Sequence, residues 1–344
     1  MAANDQRQEP LMLRHSSDCE SGFTRKRMGR YWAYFDKQGK RITDREVIDR
    51  LGAIGLPPAY ADAWFCADPN GHLQATGVDA RGRKQYRYHP EFRANADASK
   101  FAGLLEFGKA LSKLRRTVEK HLNQRKLSRE TVLAAVVRLL DTEYLRVGNE
   151  EYAKENKSFG ATTLLSCHVS KPGGKLKMRF AGKHGIVREV TITDRRLARV
   201  VRRCQELPGQ PLFQYVNGDG EPQQVTSADV NDYIREASGG EFTAKHFRTW
   251  GASVIAFEQL LEADERRKVS VATMIEPVAE ALGNTVAISR KSYVHPALVE
   301  AAKERSRDPL PGIERPAARK WLSSGEVGLL QFLAKRRKRP LKRA

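Results

Sequence analysis

Residues 176–192 read LKMRFAGKHGIVREVTI. Leu176–Phe180 and Ile186–Ile192 alternate between apolar and polar side chains, the period of a strand with one covered face. Between them Ala181-Gly182-Lys183-His184-Gly185 is a glycine-flanked turn, so the stretch predicts a β-hairpin. Its surroundings have a helical period. Leu104, Phe107, Leu111, Leu114 and Val118 recur at three and four residues. Val132, Val136, Leu139 and Leu140 do so after Ser128, a candidate N-cap, with Gly148 as the expected stop. From Thr226 the pattern is helical again, with Phe247, Trp250, Val254 and Leu261 on one face. One small antiparallel sheet inside a mainly helical domain is the expected architecture.

The amino-terminal part has another character. Arg30–Phe35 reads as a strand and Asp36-Lys37-Gln38-Gly39 as its turn. Trp64–Cys66 and Leu73–Thr76 read as strands joined by Asp68-Pro69-Asn70-Gly71, and Asp44–Leu51 as a short helix. At ~100–200 residues per domain, 344 residues favour two domains. The fold class expected is α+β: a β-rich domain over 21–95, then the helical domain over 96–310. Residues 1–20 are expected to be disordered, and 311–344 to form a basic tail.

The formal net charge is +20, which suits a polyanionic partner. Residues 335–344, KRRKRPLKRA, carry seven basic and no acidic side chains. In residues 22–41 and 79–93 the cations are interleaved with aromatics, as suits a surface meeting phosphates and bases. Cys19, Cys66, Cys167 and Cys204 form no metal-ligand spacing, and a disulfide framework is not expected. No stretch approaches the ~18 apolar residues of a membrane span, and residues 1–20 lack the apolar core of a secretory signal. A reducing, cytoplasmic location is expected. No GxxxxGK[ST] loop is present for a nucleotide and no clustered carboxylates for Mg²⁺, so no cofactor or metal is expected.

Taken singly these residues are weak signals: Arg146 reads as a helix-end cation, Lys183 as a turn lysine, Arg248 as a surface arginine and Tyr293 as a half-buried helix tyrosine. Taken in order they form a set: Arg146 in LRVGNE, Lys183 in FAGK, Lys245 and Arg248 in KHFRTW, and Asn284 nine residues before Tyr293. Such a set suits strand transfer at a phosphodiester. A tyrosine oxygen can attack phosphorus and hold the strand end. Arginine forks match the extra charge on the non-bridging oxygens, and a lysine on a turn can protonate the leaving hydroxyl.

This order, R…K…KxxR…N-x8-Y, resembles the type IB DNA topoisomerases in their short poxvirus-like and bacterial form, over roughly residues 22–300. Gly71–Gly77 and Arg81–Tyr88 also resemble that family's N-terminal DNA-binding domain. The resemblance implies a tyrosine recombinase/topoisomerase IB-like fold and ATP-independent relaxation of positive and negative supercoils through a 3′-phosphotyrosyl intermediate. It implies Tyr293 as nucleophile, Arg146 and Arg248 on the scissile phosphate, and Lys183 as general acid helped by Lys245. Asn284 stands where the family more often has histidine; an amide N–H can still donate to a phosphate oxygen. Double-stranded DNA is the expected partner, gripped by a monomeric clamp, with Gln85, Tyr86 and Tyr88 toward the groove and Arg83 and Lys84 beside them. His184, His246 and His295 receive no role.

Two other readings stay open on sequence alone. A site-specific tyrosine recombinase shares the chemistry, but usually carries H-x-x-R where this chain has Lys245 and Arg248. A basic DNA-binding protein of the same fold without catalysis is the other.

Overall fold

The computed structural model describes residues 12–93, 101–171, 174–262, 269–303, 310 and 316–338. The chain divides into two compact units, 1–100 and 101–344.

The first unit is a five-stranded antiparallel sheet in the order β2-β1-β3-β4-β5. Its strands are β1 Phe23–Met28, β2 Tyr31–Phe35, β3 Ala61–Phe65, β4 Leu73–Val78 and β5 Lys84–Tyr88. Helix α1, Arg45–Ala53, starts where the Asp44 side chain accepts from the Glu46 and Val47 N–H groups. Leu51 packs with Tyr34, Leu56, Phe65 and Ala75 in a core of its own. Some of the cation–aromatic interleaving is internal: the Arg25 guanidinium lies 4.5 Å over the Trp32 ring and donates to the Leu56 carbonyl at 2.7 Å.

Residues 12–20 are not the loose segment expected of them. Ser16 is buried, its hydroxyl donates to the Leu73 carbonyl at 3.1 Å, and Asp18 pairs with Lys84 at 2.5 Å. A short polar stretch can order when its donors match the open ends of a sheet. Residues 1–11 lie outside the described residues.

The second unit packs around α3, Arg129–Glu143, which is buried at nearly every position from Thr131 to Leu140. Helices α2 (Leu104–Leu122), α5 (Arg195–Gln205), α6 (Ser227–Ser238) and α7 (Ala244–Leu261) lie against it. The short α4, Glu150–Asn156, follows α3. Ser128 caps α3 as expected, accepting from the Thr131 N–H. The helix does not run to Gly148. It stops at Tyr144, which takes the left-handed conformation (φ 52°), and the chain continues extended.

The expected hairpin is β7 (Leu176–Ala181) against β8 (Val187–Ile192), joined on its other side by the short β6 (Val169–Ser170). A second pair, β9 (Gln214–Val216) with β10 (Pro222–Gln224), adds a sheet the sequence did not suggest. Helices α8 (Val271–Leu282), α9 (Val286–Ser292) and α10 (Pro296–Lys303) follow.

The basic tail expected over 311–344 is corrected. Residues Ser324–Lys338 form α11, with Val327, Leu329, Phe332 and Leu333 buried in the unit's core. Residues 339–344 lie outside the described residues. Arg115 of α2 fixes α11, donating to Asp141 at 2.8 Å and to Glu326 at 2.7 Å. Glu326 also accepts from the Trp250 indole at 2.9 Å. Among the described residues no helix is long and apolar enough to cross a membrane.

Candidate active site

The C-termini of two helices meet here. Helix α3 ends at Tyr144 and α8 at Gly283, each capped by a left-handed residue. The last carbonyls of a helix lack partners within it and carry partial negative charge. Arg248, on α7 and 4% exposed, fills that need: one guanidinium nitrogen donates to the Tyr144 carbonyl and the other to the Leu282 carbonyl, at 3.0 Å. It is thus no surface arginine.

The segment leaving α3 places Arg146. Its Nη2 donates to Asn284 Oδ1 at 2.9 Å, joining the segment that leaves α3 to the segment that leaves α8. The segment is held by the Ala161 N–H on the Arg146 carbonyl at 2.8 Å. Gly148 (φ 111°) and Gly160 approach so closely that a Cβ on Gly160 would lie 2.6 Å from the Gly148 Cα. Gly160→Ala meets only backbone there and is expected to cost about 1–3 kcal/mol by overpacking. Urea unfolding checks this, and an unchanged midpoint would refute it.

Tyr293 ends α9, its N–H bonded to the Ser289 carbonyl at 3.1 Å. The Arg248 Cζ stands 4.9 Å from the centroid of its ring. Lys183 is exposed at the hairpin turn, where Gly182 N–H bonds the Ile186 carbonyl at 2.8 Å. Arg146, Lys183 and Arg248 line one cleft with Phe159, Arg188 and Gly283. Lys245 does not line it; it is exposed on the first turn of α7, one turn before Arg248.

The cleft is electropositive at close quarters. Burial, and next the charge of Arg146, push Arg248 down to about 10, while Tyr293 acts in the opposite direction. Two buried donors here have no hydrogen-bond partner: Arg248 Nε and Asn284 Nδ2. Orphaned donors of this kind are costly unless an acceptor arrives. Among the described residues no group of three or more His, Cys, Asp or Glu is placed to hold a metal ion.

The family model for the catalytic core of eukaryotic DNA topoisomerase I matches residues 89–308, and that for the N-terminal domain of bacterial DNA topoisomerase IB matches residues 31–79. A DNA topoisomerase 1B of Acanthamoeba polyphaga mimivirus is 33% identical over 273 residues, covering 76% of this chain and 81% of the viral one. The chain belongs to the type IB DNA topoisomerases. The DNA topoisomerase 1B of Vaccinia virus (strain Copenhagen) is 21% identical, over 80% of this chain and 91% of that one. DNA topoisomerase 1 of Mycosarcoma maydis is 27% identical over 64% of this chain but only 22% of its own length.

In this topoisomerase the sheet candidates for DNA contact divide between two faces. Tyr86 and Tyr88 are 44% and 37% exposed, on one face of edge strand β5, with rings stacked 6.2 Å apart. Lys84 shares their face but is paired with Asp18. Gln85 falls on the other face, its amide donating to Asp79 at 3.0 Å, and Arg83 pairs with Asp79 at 2.7 Å. The groove contact expected of Gln85 beside the tyrosines therefore does not share their surface.

Sequence reasoning missed Arg188. It sits in the inward phase of β8 with Val190 and Ile192, and it lines the cleft. A cation in the apolar phase of an alternating strand was the available signal. His246 and His295 are used structurally: the Thr243 and Ala297 N–H groups donate to their Nδ1 atoms at 3.0 and 3.2 Å.

Proposed function

We propose that this chain relaxes supercoiled duplex DNA by reversible transesterification at Tyr293. The observation that carries the reading is the joined set at the two helix ends. Arg248 stands over the Tyr293 ring and Arg146 is bonded to Asn284, with two buried donors unpartnered.

The phenol oxygen of Tyr293 attacks the scissile phosphorus and its proton passes to solvent water; a new P–O bond forms at tyrosine and the P–O5′ bond breaks. A free tyrosine titrates near ~10, so neighbouring cations must favour its developing phenolate. Arg146, Arg248 and the Asn284 amide meet the charge that grows on the non-bridging oxygens. Lys183 gives the leaving 5′ oxygen its proton, with Lys245 helping from the first turn of α7. The strand end stays bonded to Tyr293 through its 3′-phosphate, the 5′ end swivels under torsional strain, and reversal reseals the strand. The retained phosphodiester energy means that no nucleotide is required.

Tyr86, Tyr88 and Lys84 present one exposed face of β5 to the duplex; Gln85 and Arg83 reach it only by releasing Asp79. The tyrosine recombinase-like architecture is the framework proposed for the second unit. The full catalytic set lies within this chain, which supports action as a monomer, and a DNA substrate together with a bacterial-type N-terminal domain supports association with a nucleoid if the source is bacterial.

Relaxation of a supercoiled plasmid without ATP and with EDTA tests the cation-only chemistry. Full relaxation is expected. An absolute requirement for divalent metal would overturn it, and tight duplex binding with no relaxation would favour a non-catalytic binder.

A further inference from the structure

Arg188 makes the same kind of bond as Arg248, one residue further back on each helix. Arg248 reaches the Tyr144 and Leu282 carbonyls. Arg188 Nη2 donates to the Glu143 carbonyl at 3.3 Å and to the Ala281 carbonyl at 2.9 Å. Its Nη1 donates to the Glu280 carbonyl at 3.4 Å. A rigid fork with five donors suits this bridging between chains of carbonyls, and a cation is favoured at helix C-termini. Gly283 leaves the room: a Cβ there would lie 3.0 Å from Arg188 Nη1.

The two arginines differ in what they hold. Arg248 belongs to α7 in the helical core. Arg188 belongs to β8, the strand that returns from the turn bearing Lys183, and pairs with Phe180 across the hairpin. Removing Arg188 leaves the helix ends joined through Arg248 and through the Arg146–Asn284 bond. It takes from the hairpin its side-chain bonds to both helix ends. We infer that Arg188 is a positioning residue that docks the β7–β8 hairpin on the ends of α3 and α8, and so aims Lys183 at the leaving oxygen.

The inference rests on Lys183 being the general acid, and the test separates the two claims. The substrate is a duplex with a bridging 5′ sulfur at the cleavage point. Attack by Tyr293 then forms the P–O bond, breaks the P–S bond, and the electron pair leaves on sulfur. A thiol titrates near ~8.5, so this leaving group needs no acid. Single-turnover cleavage is measured on ordinary and sulfur duplexes for wild type, Arg188→Ala, Arg188→Lys and Lys183→Ala, with duplex affinity and melting temperature alongside.

Arg188→Ala is expected to cleave the ordinary duplex ~10- to 100-fold more slowly, the scale of a misplaced catalytic group. The sulfur duplex should bring it within about threefold of wild type, as it should Lys183→Ala. Arg188→Lys, with charge but no fork, should fall between. Rescue of Lys183→Ala but not of Arg188→Ala overturns the positioning role alone. Failure to rescue Lys183→Ala overturns the general-acid assignment and this inference with it. If Arg188→Ala does not fold, Arg188→Lys carries the comparison, and a defect equal on both duplexes refutes the proposal.

Discussion

Tyr293→Phe is expected to abolish relaxation and the covalent protein–DNA adduct while duplex affinity stays within about twofold. The ring and its contact with the Arg248 guanidinium remain, since the cation–aromatic contact does not use the hydroxyl. The hydroxyl is lost, and with it the attacking atom and the side-chain hydrogen bond between Tyr293 and Arg248. Loss of the nucleophile takes ~10⁴-fold or more from the rate of an enzyme that works through a covalent intermediate, below detection in a plasmid assay. Gel relaxation together with fluorescence titration of a short duplex checks both halves. Residual relaxation above a thousandth of wild type would remove Tyr293 from the role.

The second large effect concerns stability. Arg115→Ala removes the cation that joins Asp141 and Glu326, both carboxylates having only 8% side-chain exposure. Breaking a buried ion network by removing one partner costs about 3–5 kcal/mol, because the remaining charges stay desolvated. Urea unfolding at pH 7 is the measurement. Burial pushes the Glu326 carboxyl up, but the Arg115 hydrogen bond and charge prevail and hold it below the ordinary glutamate value. A depressed folded pKa gives stability that is present above the unfolded value, ~4.3, and is lost as pH falls through the folded one. The gap between wild type and Arg115→Ala should therefore be full at pH 7 and narrow below pH ~4. A gap that widens on acidification would contradict the network's role. The consequence reaches the cleft, because Glu326 holds the Trp250 indole two residues from Arg248 on the same helix.

What could be read from the sequence depended on whether one residue type carried one meaning. Ser128 before an apolar 3.6-residue pattern has a single physical use, and it caps α3. Gly148 has two, stop signal or close approach. The helix stopped earlier at a left-handed tyrosine, and the glycine serves its contact with Gly160. The hairpin was legible because alternation and a glycine-flanked turn agree. Arg188 was hidden in that same alternation, since its partners are carbonyls more than forty residues away in sequence, at Glu143 and Ala281. Charge misled at the carboxyl end. The run beginning at Lys335 suggested a solvated tail, yet Val327, Leu329, Phe332 and Leu333 just before it fold into the core. On β5 the period of two puts Tyr86 and Tyr88 on one face, whereas Gln85, expected toward the groove with them, is turned to Asp79 on the other. Asp79, which ties Gln85 and Arg83, acts through a turn whose geometry composition does not reveal.

The central claim is a covalent bond between Tyr293 and a 3′-phosphate. The direct measurement is to denature the enzyme during cleavage of an end-labelled duplex, digest both polymers, and locate the nucleotide-bearing peptide by mass spectrometry. The account predicts one adduct, on Tyr293, carrying the strand by its 3′-phosphate and leaving a 5′-hydroxyl on the other end. An adduct on another residue, linkage to a 5′-phosphate, or relaxation with no adduct would contradict it.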